Sequence, residues 1–188
     1  MLKKIQYNAP TTLTFAFAAL TALFLGMLTN GLTTRLIFSC YFTSLKDPLL
    51  YLRLFTHVLG HADWAHYFGN ILYILLLGPI LEEKYGSRAL LEGIVLTALV
   101  TGVFHVFVSP DVMLLGASGV VFMLILLASF ASFREGQIPM TFLLIAGIYI
   151  GNEIVQGVTV ADNISQISHI IGGFCGAVLG VCMKKQKR

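Results

Sequence analysis

Charge is scarce in this sequence. Asp, Glu, Lys and Arg make up 11% of its 188 residues, against about 25% in a soluble domain. Too little polar surface is left to coat a water-soluble globule, and the mean hydropathy is +0.85. Cysteine is sparse as well. Cys40, Cys175 and Cys182 contain no CxxC pair, so neither a disulfide nor a metal role is assigned to them. Cys175 and Cys182 read as packing residues of an apolar helix. A basic surplus that would grip nucleic acid is missing, because the net charge of +3 comes from residues at the chain ends and in short loops. Internal repeats and low-complexity tracts are absent. The apolar stretch from Leu13 to Leu28 has no A-x-A cleavage site after it. It is read as a retained helix rather than a signal peptide.

What the chain has in abundance is apolar runs near the ~20 residues that cross a bilayer. The expected fold is all-α: one polytopic membrane domain over residues 1–188 with six transmembrane helices. The spans run approximately Thr11 to Gly31, Ala65 to Leu81, Ala89 to Val108, Gly116 to Phe133, Pro139 to Val155 and Gln166 to Met183. With both termini cytoplasmic, nine Lys and Arg residues fall inside and only Arg35, Lys46 and Arg53 outside, which satisfies the positive-inside rule. The basic tail 184–188 then meets anionic lipid. Residues 32–64 form a long outer loop that mixes Leu, Phe and Tyr with charge. This pattern predicts helices lying in the interface, Leu49 to Leu59 among them. Within the loop, His57 and His61 stand at i, i+4. Without a third ligand they predict hydrogen bonds that hold the loop rather than a metal site. His105 is expected at the interface, and Glu92 reaches back to the cytoplasmic face.

Ionisable groups inside spans are costly and mark functional sites by default. His66 and Asn70 share one face of the second span. Ser118 opens the fourth, and His169 lies one turn into the sixth. All three spans descend from the outer side, so these residues fall in one layer. Gly172, Gly176 and Gly180 form a small-residue stripe below His169, and Gly116 and Gly119 offer a matching surface on span four. Packed together, these helices bring Ser118 to His169.

A serine hydroxyl becomes a nucleophile when a positioned base takes its proton, and a neutral imidazole can do this and later protonate a leaving amine. The oxyanion formed at a carbonyl needs preorganised donors. Asn70, His66 and the Ser118 backbone N–H supply three. Glu153 and Asp162 lie near the outer edge and read as solvated ends, so the expected unit is a Ser-His dyad.

The series Arg53-x3-His57-x3-His61-x4-His66-x3-Asn70, then Gly116-Ala117-Ser118-Gly119, then His169-x2-Gly172-x3-Gly176 resembles the rhomboid intramembrane serine proteases of the bacterial six-helix type. The resemblance implies Ser118 as nucleophile, His169 as general base and acid, and His66 and Asn70 as oxyanion-hole side chains. It also implies a water-filled cavity open to the outside, transmembrane protein substrates cut near their outer ends, no cofactor, and a first loop that supports the fold. Span five and the loop at about 157–165 would gate substrate entry. The Glu83 to Ser87 turn is implied to be structural, and a prokaryotic plasma membrane is the expected location. Two positions depart from the family pattern. Leu52 stands where many members have Trp, and Phe122 where many have Tyr beneath the histidine.

Other readings remain at this stage. Asn70 could make an interhelical hydrogen bond, and His66 could cap the cavity. The whole chain could be a small transporter or proton-coupled channel, although its polar cluster is confined to one side. A non-catalytic rhomboid-like binder of membrane clients would lack the serine or the histidine, and this chain has both.

Overall fold

Proline at the first position of a helix costs nothing, because its missing N–H is one of the donors left over there. The first long helix, α1 (Pro10–Leu28), starts this way. Its next two N–H groups are received from 70 residues away: Thr11 N and Thr12 N donate to the two oxygens of Glu82 at 2.8 and 2.9 Å, and the Thr12 hydroxyl adds a bond of 2.7 Å. The computed structural model describes residues 6–131 and 163–183, with isolated helical positions at 140, 143, 144, 147 and 148. Helix α1 ends where Asn30 and Gly31 take positive φ, and Gly31 N donates to Gly26 O, a left-handed termination. A short α2 (Leu32–Ile37) follows.

The first loop is structured, as its composition predicts. Asp47 caps α3 (Pro48–Thr56), receiving Leu49 N at 2.9 Å, and a single 3-10 turn spans His57–Leu59. Next come α4 (Trp64–Tyr85), capped by Asp63, and α5 (Ser87–Val108), separated only by Gly86 at φ 90°. Then come α6 (Ser118–Ala131) and α7 (Asn163–Cys182). Among the described residues the fold is helical throughout, apart from one antiparallel bridge between Cys40 and Leu114.

Helices α1, α4 and α5 are long and apolar enough to cross a membrane, and α6 and α7 are shorter apolar helices. Their lipid-facing positions stay apolar: Leu72, Leu76 and Phe107 are exposed, whereas Ile74, Leu124 and Leu127 are buried between helices. The boundaries differ from the sequence expectation by a few residues at several helices: α1 ends at Leu28, three residues early, and α6 begins at Ser118, two residues late. Helix α4 runs four residues past Leu81, because Glu82 is held by α1 and need not meet lipid. Helix α7 begins at Asn163, so Asn163 to Ser165 belong to it and not to a preceding loop. Most of the expected fifth span, the segment 157–162, Glu153, Asp162 and the tail 184–188 lie outside the described residues.

Candidate active site

Among the described residues α6 and α7 pack closely along their length, and glycine permits it. A Cβ on Gly172 would overlap the Gly119 carbonyl oxygen and stand 2.8 Å from the Gly119 Cα. One turn on, a Cβ on Gly176 would stand 2.9 Å from the Met123 Cα, and one on Gly180 would stand 2.5 Å from the Phe130 Cβ. The small-residue stripe therefore does what its spacing predicts. It seats the backbone of α7 directly on α6.

That contact fixes the depth of His169. Its ring packs on Phe122 with centroids 4.7 Å apart and planes tilted by 42°. Phe122 lies one turn below Ser118, the first residue of α6. Both Ser118 and His169 are half-buried. At a helix start the first N–H groups have no partner within the helix, so the Ser118 N–H belongs to a set of donors available to a ligand.

On the other side of Ser118 the small residue does a different task from the expected one. The nearest described atoms to a Cβ on Gly116 belong to α4. A Cβ there would stand 2.7 Å from His66 Nε2 and 3.9 Å from Asn70 Nδ2, and the Gly116 φ of +125° is one that side chains rarely adopt. The Gly116 backbone thus passes directly under the imidazole. Helix α4 holds both side chains on one face. His66 N donates to the Asp63 carboxylate at 2.8 Å, and Asn70 Nδ2 donates back to His66 O at 3.1 Å. Asn70 is buried and His66 half-buried.

The loop before Ser118 is pinned by the first loop. Cys40 and Leu114 exchange backbone hydrogen bonds at 2.7 and 2.9 Å, Phe42 N donates to Pro110 O at 2.9 Å, and Gly116 N donates to His57 O at 3.0 Å. The ring of His57 is itself fixed, with Nδ1 3.1 Å from Arg53 O and Nε2 3.3 Å from Thr101 Oγ1. His61 Nδ1 lies 3.1 Å from Leu59 O. Burial pushes the pKa of both loop histidines down to about 4, so they are neutral and structural at ordinary pH. His105 lies in the last turn of α5. It is buried and its Nε2 meets Val112 O at 2.8 Å, because the loop after α5 folds back over it.

Sequence reasoning missed the partners of Arg53. Its guanidinium is buried, bonds Asp47 at 2.8 Å and Thr43 at 2.9 Å, and lies 4.3 Å from the centroid of the Tyr41 ring. An Asp before a Pro, six residues ahead of an Arg, was the available signal. The other expectations divide. Glu92 pairs with Arg88 at 2.8 Å on an exposed helix face. Cys175 is buried as expected, whereas Cys182 is exposed. Among the described residues no group of three His, Cys, Asp or Glu side chains is gathered that could hold a metal.

A bundle of apolar helices, three of them long enough to cross a bilayer, marks an integral membrane protein. The sequence profile of the Rhomboid domain matches residues 49–186, and the chain belongs to the rhomboid family, a family of intramembrane serine proteases. Comparison with curated proteins gives no match.

Proposed function

We propose that this protein is an intramembrane serine endopeptidase that cuts transmembrane segments of membrane-protein substrates near their outer ends. One observation carries the reading. Ser118 sits between two close backbone approaches, Gly116 against His66 and Asn70, and Gly119 against Gly172 beneath His169. In this reading His169 takes the proton of Ser118 Oγ as the oxygen bonds to the substrate carbonyl carbon. The carbonyl oxygen becomes an oxyanion and is met by the Ser118 N–H, the Asn70 amide and the His66 imidazole. His169 then gives its proton to the departing amine as the C–N bond breaks. Water from the outer side, deprotonated by His169, releases the acyl group and restores Ser118. No step calls for a cofactor.

The finer architecture belongs to the same proposal: one domain, six spans, both termini cytoplasmic and a prokaryotic plasma membrane. It rests on the family, on the apolar helices and on the excess of Lys and Arg on one side. The test is cleavage of a single-span substrate in liposomes by the wild type, Ser118→Ala and His169→Ala, with fluorophosphonate labelling in parallel. Both substitutions are expected to abolish cleavage, and Ser118→Ala to abolish labelling. Undiminished cleavage by Ser118→Ala would sink the mechanism.

A further inference from the structure

Away from the proposed catalytic residues, a groove of about 390 Å³ opens between the end of α1, α2 and the loop that leads to Gly116. Its lining is apolar at Leu23, Met27, Met113 and Leu115 and polar at Asn30 and Arg35. Three features point to an occupant. First, Arg35 is exposed and makes no ion pair among the described residues, and no Asp or Glu lines the groove. Second, His61 forms part of the wall, and its Nε2 is buried without a hydrogen-bond partner. The Leu59 carbonyl can only accept, so it fixes the His61 proton on Nδ1 and leaves Nε2 as a lone pair in need of a donor. Third, the lining runs from apolar along α1 to cationic on α2, at the end of α1 nearest the Ser118 layer. This is the order in which a lipid presents its chain and its head group.

We infer that this groove binds one anionic phospholipid from the leaflet on the Ser118 side, with its phosphate on Arg35 and an acyl chain against Leu23 and Met27. A basic residue near a membrane surface attracts anionic lipid, and guanidinium suits phosphate through paired hydrogen bonds. His61 Nε2 has no solvent-accessible surface, so a head-group hydroxyl reaches it only if the groove wall moves. The site sits behind the oxyanion side of the proposed centre, since the ring centroids of His61 and His66 are 5.0 Å apart.

The test uses the purified full chain and native mass spectrometry, with phosphatidylglycerol and phosphatidylcholine as competing probes. Wild type is expected to retain one phosphatidylglycerol in preference to phosphatidylcholine. Arg35→Glu is expected to lose that preference by about fivefold or more, the weight of one cation at a membrane surface. Lys46→Glu changes an equally exposed cation outside the groove and is expected to leave the preference intact. Should Arg35→Glu fold poorly, Arg35→Gln gives the same comparison with a smaller loss. A photoactivatable phosphatidylglycerol is expected to cross-link to Met27 or Met113. The inference is overturned if Arg35→Glu and Arg35→Gln bind like wild type, if Lys46→Glu loses as much as they do, or if cross-links map only elsewhere. None of these readouts depends on proteolysis.

Discussion

At Gly116 a positive φ and the imidazole of His66 leave no place for a Cβ. Gly116→Ala must move either the loop or the histidine, and both belong to the proposed oxyanion side. We expect kcat to fall by about 10²–10³, the range for losing one such donor, with KM little changed. Steady-state cleavage assays check this. Asn70→Ala is expected to fall in the same range of about 10²–10³. A loss as complete as that of Ser118→Ala would mean that the Asn70→Ala protein is misfolded. Residue by residue, the sequence was legible where chemistry repeats along one helix. His66 with Asn70, and His169 above its glycines, could be placed by counting turns. It was illegible where a loop carries the contact. The positions of Gly116 under His66 and of His105 under Val112 depend on chain reversals that have no periodicity.

At Gly172 and Gly176 helix α7 meets the backbone of α6 directly, so the pair should tolerate no added volume there. Gly172→Leu is expected to destabilise by about 1–3 kcal/mol, as overpacking does elsewhere, and to reduce cleavage by shifting His169. Gly69, on α4, has nothing within 4 Å of an added Cβ. Gly69→Ala should therefore change stability by no more than about 1 kcal/mol, in the direction of greater helix propensity. Thermal unfolding in detergent compares the two. This element was readable from the four-residue glycine spacing. The cap on α1 was not, because Glu82 reaches Thr11 and Thr12 across 70 residues and nothing local announces that pairing.

For the whole molecule, acid is the expected weakness. His57 and His61 of the first loop are held neutral in the fold, with pKa pushed by burial from 6.5 to about 4. An unfolded chain takes up protons below about 6.5 that the folded one refuses, so stability falls as pH drops. Their contribution is fully present above about pH 6.5 and is lost progressively down to about pH 4. Asp47 acts in the same direction at still lower pH. The Thr43 hydroxyl, the Leu49 N–H and Arg53 hold its carboxyl below 3.8, and its support disappears as it protonates. The melting temperature should be flat from pH 7 to 8 and decline below 6.5. A melting temperature unchanged down to pH 4.5 would contradict this.

The glycine ladder on α7 also limits how the two helices can slide. Steps of four residues mean that the next equally close seating lies about 6 Å away along the axis, and any offset between would drive a carbonyl into a Cβ. The seam thus works like a detent with discrete stops. At the stop observed, the His169 ring packs on Phe122. At the neighbouring stop that ring contact would be lost. In the proposed mechanism the depth of the cut is therefore set by the spacing of the main chain, and side chains facing lipid can vary without moving it.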